Sequence, residues 1–188
     1  MEVRDTTLPD ARLVVPRVFP DDRGFFAETF RESALADAGI REQWVQDNHS
    51  RSSRGVVRGL HFQIGDGCAK LVRCGRGRIW DVIVDLRRGS PSYGRWEGFE
   101  LTDENMHVLY VPVGFAHGFC VLSDVADVLY KQTRYYSGDV ERGIAYDDPQ
   151  VAVEWPLGSD EIQVSERDAT GPKLADVADE LPFVFSRG

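Results

Sequence analysis

The sequence predicts an all-β protein, an antiparallel jelly roll with short helices at its periphery. Short runs rich in Val, Ile, Tyr and Phe recur between Gly, Pro, Asp and Asn residues, as expected for strands joined by turns. Eight or more such runs are typical of a jelly roll. A chain of 188 residues with 42% hydrophobic residues also fits one domain with an ample core, which we place at residues 1–188.

The strands follow from alternating side chains between turn signals. The clearest covers residues 78–86, after a Gly75-Arg76-Gly77 turn. One helix is predicted over residues 30–38, because Thr29 and Glu32 have capping-box spacing and Gly39 is placed to end it. The remaining predicted strands are 13–18, 56–63, 69–74, 94–101, 107–111, 117–122 and 125–134, and the segments 51–54 and 64–67 are predicted to be loops.

Composition excludes several classes of protein. No apolar run approaches the roughly 20 residues that span a bilayer, and the charged N-terminus lacks a signal-peptide core, so we expect a cytoplasmic protein without a membrane anchor. The net charge of -9 argues against nucleic-acid binding, which needs a basic surface. Cys68, Cys74 and Cys120 have no CxxC spacing and are predicted to be buried free thiols.

Positive charge is nevertheless concentrated in one segment of this acidic chain. Such a concentration suits a small anionic ligand, although a solvated cationic face is an equally good interpretation. The residues concerned are Arg51, Arg54, Arg58, Lys70, Arg73, Arg76 and Arg78.

The hexapeptide Arg58-Gly59-Leu60-His61-Phe62-Gln63 lies within one of these predicted strands. Burying a guanidinium and an imidazole is costly unless each finds a partner, which indicates a polar pocket. Strand alternation puts Arg58 and His61 on opposite faces. A bulge at Gly59 would bring both side chains to the same face.

His61 and three further side chains give this pocket a possible chemistry. His61 is a candidate general base, and the competing interpretation is a structural core histidine. Lys70 opens an apolar strand and could stabilise an oxyanion, unless it lies exposed at the strand edge. Tyr130 could donate a proton or serve only in packing. Asp168 lies in a charged segment and gains a role only if it orients His61.

The segment Pro112 to His117 has the P-x-G-x-x-H spacing that resembles the second motif of cupins, β-barrels often built around a metal. A metal-binding cupin usually also has a paired H-x-H and a following glutamate. Here His61 is followed by Phe62 and Gln63. Two histidines without a carboxylate set fall short of the three or four ligands of Zn or Fe sites, so we predict no metal.

Eight segments, together with their order along the chain, indicate the family to which the sequence is similar. They are residues 22–28, 46–50, 58–61, 70–72, 81–85, 114–119, 129–131 and 165–168. They include Asp-Arg-Gly-Phe-Phe-Ala-Glu, Arg-Gly-Leu-His, Gly-Phe-Ala-His-Gly-Phe and Ser-Glu-Arg-Asp. Together they resemble the dTDP-4-dehydrorhamnose 3,5-epimerase family of nucleotide-sugar enzymes, and the resemblance spans most of the chain.

This resemblance implies a cupin-like jelly-roll homodimer that needs no cofactor. It implies epimerisation of dTDP-4-dehydro-6-deoxy-glucose at C3 and C5, giving dTDP-4-dehydro-L-rhamnose. His61 would be the base, Asp168 its orienting partner, Lys70 the stabiliser of the enolate oxygen and Tyr130 the proton donor. The positions implied for substrate binding are Arg23, Phe25, Phe26, Glu28, Gln46, Asn48, Arg58, His117, Glu141 and Arg167.

The chain departs from the family pattern at two places. Cys68-Ala69 precede Lys70 where a glycine is common, and Arg167 replaces a frequent lysine. Relatives that epimerise only C3 or only C5 keep most of the same residues, so a single-site epimerase is the nearest alternative. A metal-dependent cupin oxygenase and a noncatalytic sugar-nucleotide binding module are the others.

Overall fold

The computed structural model describes residues 1–186, which form antiparallel strands and a few short helices. In chain order the strands are β1 (Glu2–Asp5), β2 (Arg12–Val15), β3 (Val18–Asp21), β4 (Gly24–Ala27), β5 (Gln46–Ser53), β6 (Val57–Gln63), β7 (Lys70–Arg76), β8 (Arg78–Asp85), β9 (Trp96–Thr102), β10 (Val108–Val111), β11 (Phe115–Val121), β12 (Val125–Gln132) and β13 (Glu141–Gly143). The α-helices are α1 (Glu32–Asp37), α2 (Glu166–Ala169) and α3 (Leu174–Val177).

Two large antiparallel sheets face each other. One has the strand order β1-β2-β10-β7-β12-β5 and the other β13-β6-β11-β8-β9, while within residues 1–186 β3 and β4 pair with each other alone. The space between the sheets is filled by apolar side chains from both, among them Val72, Leu109, Ile83 and Phe115. Each such side chain stabilises the fold by about 1.5–3 kcal/mol through its burial. The all-β antiparallel prediction is confirmed, although the two sheets do not close into a barrel.

The outer faces of the sheets are covered differently. Leu174, Leu181 and Phe183 of the C-terminal segment pack on the outer face of the five-stranded sheet. Leu35 of α1 and the following Ile40 pack on the outer face of the six-stranded sheet. Among the described residues, no helix has the length and apolar character that crossing a bilayer requires.

Three local predictions need correction. Helix α1 begins later than predicted and its N-cap is Arg31, which makes no side-chain capping bond, so the capping box from Thr29 does not form. Gly39 does follow the last helical turn with a φ of 87°, as expected of a helix-ending glycine. The predicted loop at 51–54 instead includes the end of β5, a strand that sequence alternation did not indicate.

Candidate active site

A cavity of about 530 Å³ lies between the two large sheets. His61 of β6 and His117 of β11 line it from the five-stranded sheet, while Lys70 of β7 and Tyr130 of β12 line it from the six-stranded sheet. The other predicted site residues that line the cavity are Arg58, Glu141, Arg167 and Asp168.

The positively charged side chains that are clustered in the sequence lie in different places in the structure. Arg58 and Lys70 line the cavity. Arg51 instead forms an ion pair with Asp127, with 2.6 Å between Nε and Oδ1, and its side chain is largely exposed. The predicted cationic pocket is therefore built from part of that cluster.

A β-bulge places Arg58 and His61 on the same side of β6. His61 lies opposite His117, but Arg58 lies opposite Phe119, so three residue steps on β6 match two on β11. Gly59 sits in this bulge with a φ of 131°, and a Cβ there would come within 2.5 Å of the Gly118 Cα. The extra residue removes the conflict that simple alternation predicts.

His61 is held by Asp168, with 2.7 Å between His61 Nε2 and Asp168 Oδ1. The backbone N–H of Gly59 donates to the other carboxylate oxygen at 3.3 Å. Helix α2 carries Asp168, and the Ser165 hydroxyl caps that helix by accepting from the Asp168 backbone N–H. The bulge and the helix cap thus both contribute to the position of one carboxylate.

The charge on Asp168 determines which nitrogen of His61 is basic. Burial disfavours the carboxylate, but the hydrogen bonds from His61 and Gly59 outweigh it and hold the pKa of Asp168 below its usual value. An ionised carboxylate can only accept hydrogen bonds, so the imidazole proton lies on Nε2. Nδ1 is left free to take a proton.

Lys70 and Tyr130 stand together on the opposite wall, with the Lys70 Nζ 5.9 Å from the centre of the Tyr130 ring. Burial lowers the pKa of Lys70, and the negative charges of Glu141 and Asp81 are among the groups that oppose this shift. Burial, reinforced by Glu141, raises the pKa of Tyr130. Tyr130 is therefore a neutral phenol at physiological pH, which can donate a proton.

His117 forms a second pair with a carboxylate. Its Nε2 lies 3.0 Å from each carboxylate oxygen of Asp81, a residue that is completely buried. Burial lowers the pKa of His117, and the charge of Asp81 opposes this shift. The sequence motif 81–85 contained Asp81, but alternation gave no reason to place its side chain beside this histidine.

Glu141, Arg167 and Tyr136 form a polar group at the edge of the cavity. Arg167 Nη1 donates to Glu141 Oε2 at 2.6 Å, and the Tyr136 hydroxyl donates to the same oxygen at 3.2 Å. Tyr136 lines the cavity although its ring is largely exposed. It was missed because isolated aromatics in a turn-rich segment carry no periodic signal.

Gln46 and Asn48 lie on β5 beside the cavity but are not part of its lining. The Gln46 amide donates to Asn48 Oδ1 at 2.9 Å, and Asn48 lies opposite Tyr130 in the sheet. The Asn48 amide nitrogen is buried and has no hydrogen-bond partner among the described residues. Ser50, Gln63 and Gln132 also line the cavity, and the sequence did not single them out.

Arg23, Phe25, Phe26 and Glu28 are not brought to the cavity of their own chain. The first three belong to the β3–β4 hairpin, which pairs with neither large sheet. Phe25 and Phe26 are 58% and 70% exposed. Arg23 pairs with Asp21, and Glu28 pairs with a nearby arginine, so both charges are engaged locally.

The described residues contain no group of three or more His, Cys, Asp or Glu side chains arranged to hold a metal ion. Cys68, Cys74 and Cys120 are free and buried, as the sequence predicts.

The family model and the relatives that match this chain carry the same family description. The family model described as dTDP-4-dehydrorhamnose 3,5-epimerase matches residues 5–176. A protein of that name from Pseudomonas aeruginosa is 49% identical over 183 residues, which cover 97% of this chain and 100% of the relative.

Two solved structures are similar along almost their whole length. An epimerase from Legionella pneumophila in complex with dTDP-4-keto-L-rhamnose has a TM-score of 0.94 and 42% identity, covering 99% of both chains. A 3′-monoepimerase from Streptomyces bikiniensis in complex with dTDP-quinovose has a TM-score of 0.85 and 32% identity, covering 93% of this chain and 89% of the other.

Proposed function

Because the chain belongs to the dTDP-4-dehydrorhamnose 3,5-epimerase family, we propose that it inverts C3 and C5 of dTDP-4-dehydro-6-deoxy-glucose to give dTDP-4-dehydro-L-rhamnose. One observation carries the proposal for the site. His61 with its partner Asp168 and the neutral phenol Tyr130 line the cavity from different sheets. A base and an acid on opposite walls can act on opposite faces of a sugar ring.

The chemistry starts from the 4-keto group, which acidifies the protons on C3 and C5. His61 Nδ1 removes one of these protons, the C–H bond breaks, and its electrons form an enolate with negative charge on the C4 oxygen. The Lys70 ammonium stabilises that oxygen. Tyr130 then delivers its phenolic proton to the carbon from the other face, and exchange with water restores both residues before the second carbon reacts.

The nucleotide would be bound around the rest of the cavity. Arg58 and Arg167 are suited to the diphosphate, because a guanidinium can donate two N–H groups to phosphate oxygens. The exposed Tyr136 ring, which lines the cavity, offers a flat surface to the nucleoside.

The hairpin residues fit this proposal if the protein is the predicted homodimer. Arg23, Phe25, Phe26 and Glu28 lie away from their own cavity, and exposed aromatic side chains are typical of interfaces. We propose that each hairpin completes the nucleotide site of the other subunit.

A mixing experiment tests this arrangement. Heterodimers of His61→Ala with Arg23→Ala regain one intact site if the hairpin acts on the partner, and activity reappears on mixing two inactive proteins. If the hairpin serves its own subunit, neither site is intact and mixing restores nothing.

A homodimer, a cytoplasmic location, a single domain and the absence of a cofactor stay predictions from the sequence.

The reaction is tested by NMR of dTDP-4-dehydro-6-deoxy-glucose incubated with the protein in heavy water. Deuterium incorporation with inversion at both C3 and C5 is the expected result. Incorporation at one carbon alone would identify a single-site epimerase, as the 3′-monoepimerase of similar structure is named. No incorporation would contradict both, and metal analysis would then test the oxygenase alternative.

A further inference from the structure

Two histidines that line the cavity, His61 and His117, are each paired with a carboxylate, and the proposed reaction uses the pair of His61. Asp81 occupies an inward-facing position of β8 between Ile79 and Ile83, both of which belong to the apolar core. A charged residue at such a position is costly unless it is paired. Among residues 1–186 its hydrogen-bond partner is His117.

The geometry of this pair sets the protonation of the ring. Asp81 Oδ1 and Oδ2 are each 3.0 Å from His117 Nε2, and a carboxylate accepts but does not donate. The proton of the neutral ring therefore lies on Nε2. Nδ1 makes no hydrogen bond within the described part of the chain, so it remains available as an acceptor.

His117 is also placed where the substrate would lie. It lines the cavity, and its Cα is paired with that of His61 across β11 and β6. Lys70 lines the same cavity from the facing sheet. The sugar would therefore meet two nitrogen groups of opposite character, the ammonium of Lys70 as a donor and Nδ1 of His117 as an acceptor.

We propose that Asp81 is a positioning residue, which keeps His117 in the Nε2-protonated form so that Nδ1 accepts a hydrogen bond from a sugar hydroxyl. The inference rests on the proposed epimerase function. The C4 oxygen carries no proton to offer Nδ1, in either the ketone or the enolate. The sugar ring is thus oriented with its C4 oxygen at the Lys70 ammonium and one of its hydroxyl groups at Nδ1 of His117.

The first test needs no change to the Asp81 side chain. Histidine-labelled protein is studied by ¹⁵N NMR, and the His117 signals among those of the four histidines are assigned from the spectrum of His117→Gln. The proposal expects a proton on Nε2 and none on Nδ1 at neutral pH. A proton on Nδ1, alone or together with one on Nε2, would overturn it.

The second test compares two buried aspartates of the same strand. Asp81→Asn should lower kcat/KM about 10- to 100-fold, the range found when a metal-bound histidine loses the partner that orients it, while the affinity for dTDP stays unchanged. Asp85→Asn is the matched control, because Asp85 is equally buried but pairs with Arg87.

The outcomes separate positioning from general stability. Unchanged kcat/KM in Asp81→Asn, or an equal loss in Asp85→Asn at a similar drop in Tm, would contradict the proposal. If Asp81→Asn does not fold, the wild-type NMR spectrum decides. Failure of the epimerase proposal itself is distinct, since wild-type protein would then show no exchange at C3 or C5 whatever the protonation of His117.

Discussion

The two Asp–His pairs of the cavity are chemically alike but lie in different surroundings. The His61 side chain is 24% exposed and its partner Asp168 comes from a short helix. The His117 side chain is 7% exposed, and Asp81 lies on the neighbouring strand of the same sheet. An imidazole that takes a proton from substrate must return it to water, which the more exposed pair allows. The buried pair instead favours one fixed protonation state.

The largest effect is expected from removing the more exposed of the two imidazoles, that of His61. His61→Ala should reduce deuterium exchange at C3 and C5 by about 10³-fold or more, because it removes the imidazole that takes the proton from the substrate. Affinity for dTDP, measured by calorimetry, should remain largely intact. A parallel loss of binding and exchange would mean that His61 is a binding residue rather than the base.

Removing the partner carboxylate should have a smaller effect. Asp168→Asn keeps the size of the side chain but can no longer hold the His61 proton on Nε2 by charge. We expect kcat to fall about 100-fold with little change in dTDP affinity. If kcat is unaffected, the orientation of His61 does not depend on Asp168, and the two pairs differ less than their geometry indicates.

Tyr130→Phe tests whether Tyr130, rather than either histidine, returns the proton to the sugar carbon. Proton removal by His61 should persist, so deuterium should still enter the substrate, while inversion slows by about tenfold or more. The measurement is the ratio of exchange to inversion followed by NMR in heavy water. An unchanged ratio would remove Tyr130 from the mechanism.

The smallest expected effect concerns stability in acid. The pKa of Asp168 is lowered in the folded state, so its contribution to stability is full above the unfolded pKa of about 3.9 and is lost as the pH falls through the folded pKa. The difference in unfolding free energy between wild type and Asp168→Asn should therefore shrink on acidification. Urea denaturation at a series of pH values measures this difference in unfolding free energy. A difference that stays constant with pH would argue against a lowered pKa of Asp168 in the folded state.

Sequence patterns predicted the strands that pack against an apolar core. β12 turns Val128 and Tyr130 toward the core between the sheets, whereas β8 is apolar on both faces, with Ile83 in that core and Val84 in the core beneath the C-terminal segment. β5 was missed because Gln46–Ser53 contains no apolar residue. Its inner-face residue Ser50 lines the polar cavity, and its outer face is largely open. Alternation detects burial against a core and does not detect a strand that lines a polar site.

The site could be predicted only in part for a similar reason. Arg58 and His61 stood out as polar residues in an apolar strand, but their convergence depends on a bulge that no periodicity reveals. Asp168 contacts His61 from 107 positions away, so its role was implied only by family resemblance. The pairing of Asp81 with His117 depends on the register of β8 and β11, which one sequence does not specify.

The bulge at Gly59 limits how this cavity can be engineered. A Cβ at Gly59 would lie 2.5 Å from the Gly118 Cα, and a Cβ at Gly118 would lie 2.7 Å from the Arg58 carbonyl oxygen. Both obstacles are backbone atoms, so no repacking of side chains makes room. A library that aims to accept other sugars should therefore keep both glycines and diversify the cavity at Ser50, Gln63 and Gln132 instead.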